Sequence, residues 1–200
     1  LRIRRPVLVG CAITAALVAG GVWAWWQFLR PYHFHTVEPG VLYRSGTQPN
    51  EYTLRSVLDA SGARTIVILR KADERADRGD PWFERETRVA AERGVAVRHI
   101  PMEFDTPPTA AQLDEFLRIV DDAAARPVLV HCEVGVIRTG MMVAAWRMAR
   151  QGMPPADACR EYEDIAGRHA ENPKRAHVRE WILGFPASAS ASAPASPTGR

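Results

Sequence analysis

Hydrophobic and polar positions alternate between two periods along the middle of this chain. Arg64 to Leu69, RTIVIL, and Pro127 to His131, PVLVH, are short apolar runs rich in β-branched residues, which predicts buried strands. Val95 to Ile100, VAVRHI, predicts a third strand. Elsewhere the period lengthens. Thr109 to Ala125 sets Leu113, Phe116, Leu117 and Val120 at i, i+3, i+4 and i+7 behind a Thr cap, which predicts a helix. Asp80 to Gly94 predicts another, with Asp80 as cap, Pro81 in the first turn and Gly94 at the stop. Helices also follow over Pro49 to Gly62, Arg138 to Gly152, Pro155 to His169 and Lys174 to Phe185. His35 to Gly46 reads as a β pair turned at Pro39-Gly40. Strands alternating with helices predict an α/β fold, a central and mostly parallel sheet flanked by helices. Right-handed crossovers then bring the C-terminal ends of the strands to one edge, where such sheets bind ligands.

The two ends break this pattern. Residues 7–29 carry no charge and are long enough to span a hydrocarbon core of roughly 30 Å as one helix. Trp23, Trp25 and Trp26 gather at one end; Arg2, Arg4 and Arg5 flank the other. The expectation is a single transmembrane anchor with residues 1–30 as its cytoplasmic flank and span, and a domain over residues 31–186 on the far, extracytoplasmic side. A cleaved signal peptide is the alternative, and Leu8 to Cys11, LVGC, resembles a lipoprotein cleavage box. Residues 187–200, rich in Ala, Ser and Pro, predict a disordered tail.

Charge changes the picture once divided. The chain of 200 residues carries +3 in total, but residues 1–30 hold four arginines and no acid, which leaves −1 on the rest. No nucleic-acid-binding face is indicated. Cys11, Cys132 and Cys159 define no disulfide framework, although a Cys132–Cys159 bridge is conceivable outside the cytoplasm.

The chemistry concentrates in His131 to Gly140, HCEVGVIRTG, where a predicted strand runs through a loop into a helix. A helix N-terminus presents unpaired N–H groups and the positive end of its dipole. A loop whose amides also turn inward makes an anion nest, and Gly135 suits a position needing close approach or positive φ. Arg138 can fork two hydrogen bonds onto phosphate oxygens. The same field favours a thiolate at Cys132, placed for in-line attack on a bound phosphate. Thr139 can support that thiolate as nucleophile and leaving group, and His131 can fix the loop. The backbone amides of Glu133, Val134, Gly135, Val136 and Ile137 would hold the phosphate oxygens.

HC-x5-RTG, as His131-Cys132 to Arg138-Thr139-Gly140, resembles the signature loop of cysteine-dependent protein tyrosine and dual-specificity phosphatases. Leu42 to Pro49 (LYRSGTQP), the strand ending in Leu69-Arg70, and PVLVHC resemble the compact bacterial, plant and fungal dual-specificity-like group over residues 36–185. The resemblance implies phosphomonoester hydrolysis through a phosphocysteine, with no metal or other cofactor. It also implies an upstream aspartic acid that protonates the leaving oxygen and then activates water. In Pro101 to Thr109, PMEFDTPPT, Asp105 is the first candidate and Glu103 the second; Asp105 is also placed to cap the turn before Pro107-Pro108.

Other residues carry less. Arg70 either reaches the site or is a solvated charge in LRKADERADRGD. Tyr43, Arg44 and Ser45 read as braces of the core or loop, Trp82 as helix packing, His99 and His169 as structural or surface groups, and Cys159 as a small buried hydrophobe. The loop residues Glu133 to Ile137 include one acid and no base, which disfavours a polyanion and favours a monoester on a tyrosine, a lipid or a small molecule. The partners expected are thus a phosphotyrosyl protein or a lipid or small phosphomonoester, with the membrane engaged through residues 7–29. A lipid or inositol phosphate phosphatase at the membrane is the enzymatic alternative, and a tethered module that binds phosphate without turnover is the non-enzymatic one.

Overall fold

The fold described here is that of a computed structural model, which describes residues 5–25, 29–74, 79, 81–104 and 106–186. Five strands form one mixed sheet in the order β1-β2-β5-β3-β4. β1 (His35–Glu38) and β2 (Leu42–Gly46) are the antiparallel pair predicted around Pro39-Gly40. β2, β3 (Thr65–Ile68), β4 (Ala96–His99) and β5 (Val128–Cys132) run parallel. The helices are α1 (Arg5–Ala24), α2 (Glu51–Ser61), α3 (Trp82–Glu92), α4 (Ala110–Asp121), α5 (Ile137–Gln151), α6 (Pro155–Ala166) and α7 (Ala176–Leu183).

The central strands sort their side chains by parity, as the pleat requires. Ile66, Ile68 and Leu129 pack against Leu54, Val57 and Leu58 of α2 and Trp82, Val89 and Ala90 of α3. Val67, Val128 and Val130 face the opposite layer, built on Phe116, Met142 and Val178 of α4, α5 and α7. Burial on both faces is why these strands read as unbroken apolar runs. β4 lies at the sheet edge and is only partly covered, which explains its polar Arg98 and His99.

Local signals set the helix ends. Asn50 caps α2 by accepting from Thr53 N–H, and Gly62 closes it in the left-handed region at φ 60°. Thr109 and Gln112 form a reciprocal capping box on α4. α3 departs from expectation: Pro81 stands at the cap position, not inside the first turn, and Arg93 ends the helix ahead of Gly94. The cap expected at Asp80 lies outside the described residues, as does the tail expected over residues 187–200.

At the N-terminus, the described side chains Ile13, Leu17, Val18, Val22 and Trp23 of α1 are exposed. Among the described residues no helix is long and apolar enough to cross a membrane, so the anchor expected over residues 7–29 gains no support from the structure. Cys132 and Cys159 are buried free thiols, and the conceivable bridge between them is not formed.

One polar residue sits on the apolar face of α3. Glu86 follows Trp82 by one turn and precedes Val89 and Ala90, and all four are buried. Its carboxylate meets His131 Nε2 at 2.7 Å, so α3 is pinned to the end of β5 by a buried ion pair. Burial alone would lower the His131 pKa; the Glu86 charge and hydrogen bond outweigh it and hold the imidazole above its ordinary value. A raised folded pKa gives stability that is complete below the unfolded imidazole value of about 6.5 and lost as pH rises through the folded one. Glu86→Gln is therefore expected to cost about 3 kcal/mol of unfolding free energy near pH 6. The gap to the parent narrows on the alkaline side, as denaturant titrations at several pH values would show.

Candidate active site

The C-terminal end of β5 delivers Cys132, 2% exposed, to the sheet edge where α5 begins at Ile137. The loop between them wraps the thiol. Gly135 adopts φ 79°, and its N–H donates to Cys132 Sγ at 3.3 Å. A Cβ at Gly135 would meet Ser45 O at 2.3 Å, so both conformation and space demand glycine there. Arg44, a buried residue of β2, reaches under the loop and donates from Nη2 to Gly135 O at 2.7 Å. The cleft above the thiol has about 270 Å³ of space. Glu133, Val134, Val136, Ile137 and Arg138 line it with Cys132, and Phe104, His169 and Arg175 complete its walls.

Burial by itself would raise the Cys132 thiol pKa. The Arg138 charge, the Thr139 hydroxyl, and the N–H groups of Thr139 and Gly135 together outweigh it and hold the thiol below its ordinary value. Thr139 Oγ1 is buried with no other hydrogen-bond partner among the described residues, which leaves it for the sulfur. His131 sits behind the thiol; its Nδ1 lies 3.1 Å from Cys132 O and its Nε2 faces Glu86.

Arg138 is held by Glu74 and by the Met102 carbonyl. Its Nη1 and Nη2 donate to the two oxygens of Glu74, the second at 3.0 Å, and Nη1 also reaches Met102 O at 3.3 Å. Nε is buried with no oxygen acceptor among the described residues. Burial works to raise the Glu74 carboxyl, but its contacts with Arg138, Lys71 N–H and Arg70 dominate and keep it below the usual carboxylate range. Arg70 lies in this support layer. It is 1% exposed, stacks on the Trp82 ring at 3.9 Å, and donates to Thr47 Oγ1 at 3.1 Å and Glu74 Oε2 at 3.3 Å. It is not among the residues lining the cleft.

Of the two acid candidates, Asp105 lies outside the described residues. Glu103 is exposed and pairs with Lys71 Nζ at 2.6 Å. Phe104, next to Glu103 in sequence, enters the cleft wall. His169 and Arg175, from two short 3-10 turns between α6 and α7, are hydrogen-bonded to each other at the rim. Glu74, Glu86 and Arg175 were not singled out by the sequence. Only Glu86 left a local signal there, as an acid on the apolar face of a helix.

A free thiol held below its ordinary pKa, in a glycine-turned loop closed by an arginine, at the C-terminal ends of the parallel strands of a mixed sheet, is the arrangement of the cysteine-dependent phosphatases. Comparison with known proteins agrees. The family model described as a DSP-PTPase phosphatase fused to NAD+ kinase matches residues 32–180, and the chain belongs to that family. A probable chloroplastic NAD kinase 2 of Oryza sativa is 33% identical over 125 residues, covering 58% of this chain and 12% of that protein. Inositol diphosphatase DSP3 of Arabidopsis thaliana is 28% identical over 142 residues, covering 68% and 64%. The chain thus spans a small part of the first relative and under two thirds of the second. Among solved structures, the catalytic core of the PP-IP phosphatase Siw14 from S. cerevisiae superposes with a TM-score of 0.63 at 23% identity, over 78% of this chain and 86% of that one. TpbA of P. aeruginosa gives 0.58 at 24%, over 78% and 87%. By that family model the chain is homologous to the cysteine-dependent phosphatases, and it shares the fold of Siw14 and TpbA.

Replacing Thr139 by Val keeps its shape and removes the donor. The thiol pKa should rise, so the acidic limb of the kcat/KM profile moves to higher pH, and kcat falls roughly tenfold. Rates on p-nitrophenyl phosphate across pH, beside thiol titration by alkylation, check both.

Proposed function

We propose that this chain hydrolyses aryl phosphomonoesters of the phosphotyrosine type through a phosphocysteine at Cys132. The observation behind this reading is the cleft itself: Phe104, Val134 and Ile137 offer an apolar wall beside Cys132 and Arg138. A flat aryl group can bury carbon against that wall while its phosphate enters the loop. A solved complex of TpbA with pTyr, 25% identical with a TM-score of 0.55 over 81% of this chain and 92% of that one, supports it by likeness.

The residues then divide the work. Arg138 and the amides of Glu133 to Ile137 bind the phosphate oxygens and the charge that grows on them. Cys132 Sγ forms a bond to phosphorus as the ester oxygen departs, and Asp105 supplies that oxygen with a proton. Water, deprotonated by Asp105, then attacks the phosphocysteine, and the departing thiolate regains its hydrogen bond from Thr139. His131 and Arg70 act from behind the loop.

A second reading rests on the rim. Arg175 is a cation in the cleft wall that the loop sequence does not reveal, and it suits a substrate with more than one phosphate. The inositol diphosphatase and PP-IP phosphatase relatives point the same way. A third part of the proposal concerns location. Residues 7–29 are uncharged and flanked by Arg2, Arg4 and Arg5, which supports an inner-membrane anchor with the catalytic domain extracytoplasmic. Carbonate-resistant membrane association, with the domain degraded by protease added to spheroplasts, is the expected behaviour; protection inside spheroplasts would reverse the orientation.

The central test uses the full chain in detergent. Cys132→Ser should abolish p-nitrophenyl phosphate hydrolysis. Asp105→Asn should cut kcat on a phosphotyrosyl peptide about a hundredfold, more than on p-nitrophenyl phosphate, whose leaving group needs less help. The fall of kcat/KM with rising pH should vanish with that acid. An inositol polyphosphate turned over with higher kcat/KM than phosphotyrosyl peptide would install the second reading. Phosphate binding without turnover by the folded parent would leave a tethered binding module.

A further inference from the structure

Tyr32 and His33 lie directly before β1 and pack on the outside of the phosphate loop. Gly46 N–H donates to Tyr32 O at 3.0 Å, and the Gln48 side chain bonds both Tyr32 N–H and O, at 2.9 and 3.0 Å. The Tyr32 ring stacks on His33, with centroids 4.2 Å apart. A Cβ at Gly46 would lie 2.5 Å from that ring, so the glycine gives this strap its seat. His33 Nδ1 then lies 2.7 Å from Val134 O. A carbonyl only accepts, so Nδ1 is the donor.

The consequence follows from peptide geometry. In a planar trans peptide the carbonyl and the next residue's N–H point in opposite directions. Cys132 O accepts from Thr47 N–H at 2.9 Å and from its hydroxyl at 3.0 Å, and Glu133 O accepts from the same N–H at 2.9 Å. Val134 O accepts from His33, and Gly135 O accepts from Arg44 at 2.7 Å. Four successive carbonyls are thus tied outward, and the N–H groups of residues 133–136 are turned to the other side. Gly135 N–H, which follows the carbonyl held by His33, is the one that reaches Cys132 Sγ.

We propose that His33 is a positioning residue for catalysis: by holding Val134 O it aims Gly135 N–H at the thiolate and at incoming phosphate. The strap before the first strand is then part of the catalytic cradle. This rests on the phosphatase reading above. Thr47 and Arg44 hold the neighbouring peptides from β2 and its following loop. His33 does so from the segment before β1. Its φ of 49° is left-handed, a conformation that Asn and Gly tolerate and most other residues resist.

That backbone supplies the experiment. In the full chain, His33→Gly keeps the conformation and removes the donor, while His33→Asn keeps the conformation and replaces the donor with a side-chain amide. His33→Gly is expected to lower kcat/KM on p-nitrophenyl phosphate roughly tenfold, weaken vanadate binding similarly, and move the acidic limb of the pH profile upward. His33→Asn should return all three to within about threefold of the parent. Parent-like values in His33→Gly, or no recovery in His33→Asn, overturn the proposal. Should His33→Gly fail to fold, His33→Asp decides, since it matches Asn in size and backbone tolerance but donates nothing when ionised; parity between Asp and Asn overturns it. A parent with no turnover of any phosphomonoester would remove the phosphatase reading instead, and vanadate affinity across the same variants would still decide the role of the strap.

Discussion

A thiolate cannot sit in a protein interior without compensation, and Cys132 is 2% exposed. Removing an anion from water costs several kcal/mol unless charge and hydrogen bonds replace its hydration. Here Arg138, the Thr139 hydroxyl, and the amides of Gly135 and Thr139 replace it. The same groups would serve a phosphate seated above the sulfur. Much of the surrounding structure is accounted for by the need to hold these donors still before anything binds, since donors that must reorganise at the moment of reaction are worth less.

Holding them still takes two layers of polar groups that never face the cleft. Glu74 fixes Arg138 by its two terminal nitrogens, and Arg70 and Lys71 N–H in turn fix Glu74. Glu86 fixes His131 through an ion pair whose side chains are 4% and 2% exposed. Thr47, His33 and Arg44 fix the loop carbonyls. The charges of Glu74, Arg138, Glu86 and His131 would be costly alone and are tolerable because they are paired, whereas the buried Arg44 is held through the Gly135 carbonyl. The sheet makes this possible. β5 lies between β2 and β3, so its end is flanked on one side by Gly46 and Thr47 and on the other by Leu69 and Arg70.

What the sequence made legible was whatever depends on local periodicity or one contiguous segment. β3 and β5 were readable because burial on both faces leaves an apolar run with little competing interpretation, and α4 because its stripe and capping box agree. The loop from His131 to Gly140 was readable because all its chemistry is consecutive. The supports were not, because they come from distant segments: Glu74 is 64 residues from Arg138, and His33 is 101 from Val134. Nothing in LRKADERADRGD separates Glu74, aimed at the buried guanidinium, from the other charged residues of the stretch. Arg70 shows the same limit: both readings weighed for it, site contact or solvated charge, missed that it is buried against Trp82 as part of the scaffold.

The substrate argument shows how much a local reading leaves out. Glu133 to Ile137 contain one acid and no base, and on those residues alone a polyanion is disfavoured. The cleft, however, is also walled by Arg175 and His169, which arrive from the far side of α6. Phe104 lies between the two cations, its ring centre 5.9 Å from the guanidinium carbons of both Arg138 and Arg175. An aryl ester would use the ring and leave Arg175 in water, where a cation costs nothing. A second phosphate would use Arg175 and displace or stack on the ring. On the proposed chemistry, selectivity would then depend on how Phe104 and Arg175 divide the mouth, because the phosphate loop below them would bind the scissile group alike in both cases.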